Sequence, residues 1–426
     1  MAMTWSQLLS PQRFRAKNGE IIPTVTPSTQ EGIDALRTDF HIDYDRVVFS
    51  GAFRRLGRKT QVHPLAEHDL THNRLTHSVE VASVGRSLGN RVGVMLQAGG
   101  FLPENNTPGD IGAVVQVACL AHDLGNPPFG HTGEDALRHW FRKETNLRFL
   151  TSLSEAELSD VQTYEGNAHS LRIVANLEMY PDAGGMRLSA ASIGALIKYP
   201  WTSQGPRGRS KFNIYQTELP FIRRVAAELG LLEAGCDQWV RHPLSYLMEA
   251  SDDICYALLD LEDAVELELL TDTEVESVLS ELTFEESTWH AQSSRQRCAM
   301  LRGIAIGKAI EDAAQTFMKH QSDLLSGEFK GKDLISLCSP EVQNTLEKAK
   351  ELARTRIFRH RTKLMTEIAT FPCLGSILDL FVPAAHALLV ERKLDVRQSL
   401  ILDLLKNHNP ILETDSLYQA YMKILD

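Results

Sequence analysis

Residues 119–137 read CLAHDLGNPPFGHTGEDAL, and the reading of this stretch decides the fold. It begins inside an apolar helical run, residues 111–122, that ends on His122-Asp123. A Gly-Asn-Pro-Pro turn follows, and then a second acid/base pair, His131 and Glu134. Buried polar groups are costly unless something satisfies them. A core helix that stops on an imidazole and a carboxylate therefore asks for a metal ion, with a substrate beside it.

Outward from this stretch, helical periodicity prevails. Val81, Val84, Leu88, Val92 and Met95 recur at steps of three and four in residues 76–98. Leu247, Ile254, Leu258, Leu261, Val265 and Leu269 form one stripe in residues 244–269. GFLPENNTPGD (100–110), YPDAGG (180–185) and WTSQGPRGRSKFN (201–213) read as loops. Alternating strand signals are scarce, and KFNIYQTE (211–218) is the best candidate for a short strand. The expected fold class is all-α. Residues 1–50 are expected to be irregular, 51–270 to form a catalytic core, and 271–426 to add a helical C-terminal region.

Hydrophobic residues make up 43% of the 426, enough to bury a sizeable core. The net charge of −11 excludes a global basic footprint for nucleic acid, so an anionic ligand must be met by local cations. The six cysteines form no C-x-x-C pair and lie far apart, which fits a reducing cytosol better than a disulfide framework. The N-terminus lacks a long apolar region, so no signal peptide is expected. No membrane span is expected either, for want of an 18-residue apolar run.

A His-Asp dipeptide alone is weak evidence, since about one arises by chance among 15 His. His68-Asp69 lies in the polar stretch AEHDLTHNR, where a solvated face is the simpler reading. His122-Asp123 ends an apolar helix, which sets it apart. His77 lies on the stripe His77, Val81, Val84, Leu88, where a lone His is more often a satisfied core residue than a ligand. Asp252, Tyr256 and Asp260 recur every four residues and share a helix face, suiting a solvated ridge or a cavity wall. Periodicity does not choose between Asp252 and Asp253. Two imidazoles and two carboxylates would make a mixed nitrogen/oxygen site for Mn2+, Fe2+, Co2+, Ni2+ or Mg2+.

His131 and Glu134 are three apart at a helix start and so share a face. An anion is favoured there by the helix dipole, and Glu134 could hold His131 charged. The competing reading is a capping box between Thr132 and Asp135. Positive charge gathers in FRRLGRK (53–59), at Arg74 and Lys198, at Arg207, Arg209 and Lys211, and in RIFRHR (356–361). Most such residues cover solvated faces, but Arg74 lies one turn before His77, within reach of a phosphate bound at the metal.

These motifs together carry a resemblance. RLTHSVEV (74–81), HDLGNPPFGHTGE (122–134) and EASDDICYALLDLED (249–263) resemble the deoxynucleotide triphosphohydrolases of the HD superfamily, most closely the prokaryotic dGTPase and dGTPase-like proteins. FRRLGRKTQVHPL (53–65) and the pair IKYPW and KFNIYQTE fit too, so five motifs occur in order over residues 40–270. The resemblance implies an all-α HD-domain core with a helical C-terminal extension. It implies one divalent metal on His77, His122, Asp123 and Asp252, the family's Asp-Tyr-Asp register selecting Asp252 over Asp253. His131 and Glu134 match the catalytic pair, and Gln61 a contact to the deoxynucleoside. Arg74, Asn126, Lys198, Tyr199 and Lys211 match residues near the phosphates. Tyr256 matches a tyrosine against the deoxyribose, and Asp260 joins the substrate-binding set by the same register.

The implied reaction is hydrolysis of a deoxynucleoside triphosphate, dGTP or another, at the α-phosphate to deoxynucleoside and triphosphate. The family also implies a homo-oligomer, a hexamer foremost, with RIFRHR reaching a neighbouring subunit's phosphates, and control by a dNTP or single-stranded DNA effector. A cytoplasmic protein without membrane contact is expected. The competing readings are an HD-type phosphohydrolase of nucleoside monophosphates or cyclic nucleotides, and a non-catalytic nucleotide or single-stranded DNA sensor.

Overall fold

The computed structural model describes residues 2–17, 19–24, 37–59, 72–181, 183–206, 209–283, 293–357 and 361–426. The N-terminal part holds α1 (Trp5–Leu8), the hairpin β1 (Arg13–Lys17) and β2 (Glu20–Thr24), α2 (Asp39–Val48) and α3 (Gly51–Arg55). The centre runs α4 (Arg74–Ala98), α5 (Pro108–Ala121), α6 (Gly130–Arg142), α7 (Glu155–Gln162), α8 (Gly166–Arg172), α9 (Ala190–Leu196) and α10 (Leu219–Leu229). A second small hairpin, β3 (Glu233–Gly235) and β4 (Gln238–Trp239), leads into α11 (Pro243–Glu266). Then come α12 (Asp272–Thr283), α13 (Ser294–Lys319), α14 (Gln321–Ser326), α15 (Pro340–Leu352), α16 (Arg361–His386), α17 (Val396–Asp403) and α18 (Leu417–Leu425). The fold is all-α, as the periodicity requires.

The pair α4 and α5 is its axis. Asn73 caps α4 by accepting from the backbone N–H groups of Leu75 and Thr76, both at 3.0 Å. Pro108 occupies the first turn of α5, where its missing N–H costs nothing, and Asp110 accepts from the Thr107 N–H at 2.8 Å. Gly89 and Gly93 let the helices touch backbone to backbone. A Cβ at Gly89 would lie 2.8 Å from Gly112 Cα, and one at Gly93 would lie 2.7 Å from Pro108 Cα. From Ile111 to Ala121 all side chains but Gln116 are buried, as a helix apolar on every side must be.

Among the described residues, two hydrophobic cores result. The larger joins the N-terminal Trp5, Leu8 and Phe14 to α4, α5, α9 and α11, and continues into α13 and α15 through Ala309, Phe317, Val342 and Leu346. The smaller packs α6 and α7 against α16 and α18 around Trp140, Phe141, Tyr164 and Tyr421.

Three expectations need correction. The first 50 residues are not irregular where described: buried Arg13 pairs with Asp39 and Asp43, and Asp43 accepts from Ser189 N at 2.9 Å, so the segment is pinned to the core. KFNIYQTE forms no strand, only an isolated bridge from Thr202 to Ile214. Its Asn213 side chain accepts from Tyr199 N at 2.8 Å and donates to Asn167 O at 3.0 Å, so local bonds replace a ladder. Finally, Lys363–Glu391 is helical, long and apolar enough to cross a membrane by length and composition. Within it, Asp379 accepts from Trp140 Nε1 at 2.8 Å, and Leu374, Leu378 and Val382 pack into the smaller core.

Candidate active site

His77 sits in the first turn of α4, 2% exposed, and His122 follows the last residue of α5. The close approach of these helices brings both imidazoles to Asp252 on α11. His77 Nε2 lies 3.1 Å from Asp252 Oδ1 and His122 Nε2 3.5 Å from the same oxygen. The two rings meet edge to face with centroids 5.8 Å apart. His122 Nδ1 donates to Cys119 O at 2.6 Å, which leaves Nε2 as the inward nitrogen.

Each of the three residues offers a ligand atom within 4.8 Å of the others. Atoms sharing a first-row cation at about 2.1 Å stand about 3.0–3.4 Å apart in octahedral or tetrahedral geometry, so this donor set fits a divalent metal. Burial opposes charge on His122, but Asp123 and Asp252 outweigh it and raise its pKa to about 9. Burial likewise opposes the Asp252 carboxylate, and His122 and His77 outweigh it, holding the carboxyl well below its usual range.

Asp123 lies outside that group of three. Its Oδ2 accepts from Arg74 Nη1 at 2.6 Å, and its Oδ1, 3.6 Å from His122 Nε2, accepts from Asn126 Nδ2. Arg74 and Asn126, both matched to phosphate contacts, thus hold the carboxylate expected to be the fourth ligand. The neighbouring Asp253 also lines the cleft but is paired with Lys350 of α15 at 2.7 Å. The two histidines therefore meet Asp252, the choice that periodicity left open.

The turn Pro127-Pro128-Phe129-Gly130 aims the next pair. Phe129 has φ 67° and Gly130 φ 58°. The left-handed conformation costs a non-glycine residue roughly 1–2 kcal/mol. Gly130 also passes so close to Arg74 that a Cβ would lie 2.8 Å from Nη2. Helix α6 starts at Gly130 with no side-chain cap, so Thr132 and Asp135 form no capping box. His131 Nδ1 instead lies 2.9 Å from Glu134 Oε2, with the His131 side chain 73% exposed in the cleft. Glu134 is buried, and its Oε1 accepts from Gly166 N at 2.8 Å. Burial opposes its charge, but the bond to His131 prevails and lowers its pKa. A fixed carboxylate at Nδ1 leaves Nε2 for proton transfer.

Around these pairs opens a cleft of about 500 Å³. Arg74, Asn126, Lys198, Tyr199, Lys211 and Tyr256 all line it. Lys198 pairs with Glu249 at 2.9 Å, and that attraction overcomes burial to raise its pKa. Lys59 supports the turn from behind by donating to Asn126 O, and burial, with Arg74 nearby, lowers its pKa to about 8.

Asp260 does not line the cleft. It is buried one turn beyond Tyr256, its Oδ2 has no hydrogen-bond partner among the described residues, and burial with Asp263 nearby pushes its pKa far up. Gln61, His68, Asp69 and Arg207 lie outside the described residues, as does the 358–360 part of RIFRHR. Arg356 of that motif pairs with Glu274 of α12 at 3.1 Å. The sequence reading missed the wall contributed by α16: Lys363, Thr366, Glu367 and Thr370. Their spacing of three, one and three, polar on an otherwise apolar helix, was the available signal.

The chain is similar to known proteins. Residues 74–165, from Arg74 to the residue before α8, match the HD domain family. A deoxyguanosinetriphosphate triphosphohydrolase-like protein of Pseudomonas aeruginosa is 44% identical over 400 residues, covering 92% of this chain and 89% of its own. One from Synechocystis sp. is 33% identical over 437 residues, covering 100% of this chain and 95% of its own. A deoxyguanosinetriphosphate triphosphohydrolase of Klebsiella pneumoniae subsp. pneumoniae is 30% identical over 413 residues, with 84% of this chain and 79% of its own covered.

Proposed function

The chain belongs to the deoxyguanosinetriphosphate triphosphohydrolase-like family of HD-domain proteins, and from that premise we propose that it hydrolyses deoxynucleoside triphosphates, dGTP among them, at the α-phosphate, releasing deoxynucleoside and intact triphosphate. One observation carries the reading: His77 and His122 converge on Asp252 in a cleft that also holds His131 and the cations Arg74, Lys198, Lys211 and Lys363. His77, His122 and Asp252, with Asp123 beside them, would hold one divalent cation of the Mn2+, Mg2+, Co2+, Ni2+ or Fe2+ class, which supplies Lewis acidity at the phosphorus.

The protein's own groups divide the remaining work. Arg74, Lys198 and Lys211 offset the charge of the triphosphate. His131, oriented by Glu134, moves a proton at the reacting end, to the leaving 5′-oxygen or from the attacking water. Tyr256 walls the sugar, where a 2′-hydroxyl would meet its ring.

Exposed Leu364, Met365, Ile368 and Phe371 on α16, with Val396 and Leu400 on α17 and Leu404 just after it, support a homo-oligomer, for which we favour a hexamer. The six free thiols support a cytoplasmic location. The deciding experiment incubates the purified protein with each dNTP, singly and mixed, with Mn2+ or Mg2+ and with or without single-stranded DNA, and resolves the products. Equal amounts of deoxynucleoside and triphosphate are expected. Diphosphate or monophosphate products, or phosphate release from dAMP with dNTPs untouched, would refute the reading.

A further inference from the structure

Asp160 on α7 is fully buried, at 0% exposure, and touches nothing in the cleft. One carboxylate there serves three separate segments. Oδ1 accepts from Ser203 Oγ at 2.5 Å, and Oδ2 accepts from Gln216 N at 2.8 Å and from the hydroxyl of Tyr418 on α18. Ser203 and Gln216 are the two ends of the loop that carries Lys211. From the residues just before that loop, Trp201 Nε1 donates to Lys211 O at 2.8 Å, and Tyr199 O accepts from Asn213 N at 3.0 Å. The backbone of Lys211 is therefore fixed by a tryptophan whose own segment hangs on Asp160.

A buried carboxylate is an expensive way to fill space beside Val161 and Tyr164. Burial pushes its pKa up to about 7, even against the hydrogen bonds from Ser203, Tyr418 and Gln216. What it offers that an apolar side chain does not is acceptors for donors from three segments at once.

We propose that Asp160 is a positioning residue for the reaction, clamping both ends of the 203–216 loop so that Lys211 faces the substrate's phosphate chain. The proposal rests on the functional reading above, because it takes the cleft's ligand to be a polyphosphate. It acts through binding rather than chemistry, so its signature is a rise in KM with kcat kept.

The test uses Asp160→Asn, and Ser203→Ala as a second variant that leaves the buried carboxylate in place. In both, KM for the best dNTP should rise about tenfold with kcat within about twofold, the loss of roughly one charged hydrogen bond. In a Lys211→Ala background neither substitution should raise KM further. Two measurements need no turnover: amide hydrogen exchange over residues 209–215 should speed up, and inorganic triphosphate, titrated calorimetrically, should bind about tenfold more weakly. KM effects that add fully to those of Lys211→Ala, a fall in kcat at constant KM, or unchanged loop exchange would overturn the clamp. If Asp160→Asn does not fold, Ser203→Ala decides alone. If the unmodified protein yields no deoxynucleoside and triphosphate, the functional reading fails, while exchange and triphosphate affinity still decide the role of Asp160.

Discussion

Arg74 and Asp123 are joined by an ion pair of 2.6 Å that ties the first residue of α4 to the loop after α5. The guanidinium thus neutralises a carboxylate of the cluster, and Arg74 also lines the cleft.

Replacing Arg74 by Gln should therefore lower kcat/KM by a factor on the order of 10² to 10³, since a charge aimed at the phosphates is lost. Steady-state kinetics on the best dNTP measures this, and circular dichroism should show the helices intact. A change under threefold would remove Arg74 from the phosphate set.

The adjacent carboxylates of α11 should separate cleanly. Asp252→Asn should weaken Mn2+ binding by more than about a hundredfold, read by electron paramagnetic resonance of free Mn2+. Asp253→Asn, whose native partner is Lys350, should leave affinity within a few-fold. Equal losses from both would mean that the histidines do not select between them.

His72 gives a pH test. Its Nδ1 lies 2.5 Å from Asp263 and its Nε2 3.0 Å from Glu80; these two hydrogen bonds, Asp263 first, raise its pKa to about 10 against burial. A raised folded-state pKa stabilises the protein fully below about 6.5, and that contribution fades as pH climbs through about 10. Thermal melts from pH 6 to 10.5 should thus show stability falling with pH in the unmodified protein, and a shallower fall in His72→Gln. Parallel curves would contradict the assignment.

Gly89→Ala should destabilise the protein by about 1–3 kcal/mol in urea denaturation, because the new methyl meets the Gly112 backbone at 2.8 Å and neither helix can yield easily. The gain in helix propensity, up to about 1 kcal/mol, works the other way and sets the lower end of that range. A stabilised variant would mean that α4 and α5 are less tightly apposed.

The helices were legible in the sequence because their apolar spacing reports burial directly: residues 76–98 and 244–269 correspond to Arg74–Ala98 and Pro243–Glu266. His122-Asp123 stood out because it ends an apolar run. Three things were hidden for physical reasons. Asp123 reads as a ligand, but its capture by Arg74 depends on tertiary approach across 49 positions. Asp260 keeps the helical register of Asp252 and Tyr256, yet eight residues of α-helix rotate about 80° past two full turns, enough to carry it off the cleft. The hairpin of Arg13–Lys17 with Glu20–Thr24 carries no alternation, because Arg13 is buried by its pairing with Asp39 and Asp43.

Helix α16 has two sides with different employers. Lys363 and Glu367 face the cleft, while Leu364 and Ile368, one position further along, stand in solvent. In the homo-oligomer proposed above, a second copy seated on that outer side would bear on the cleft wall through the same helix, so turnover per molecule should fall as the protein is diluted below its assembly concentration.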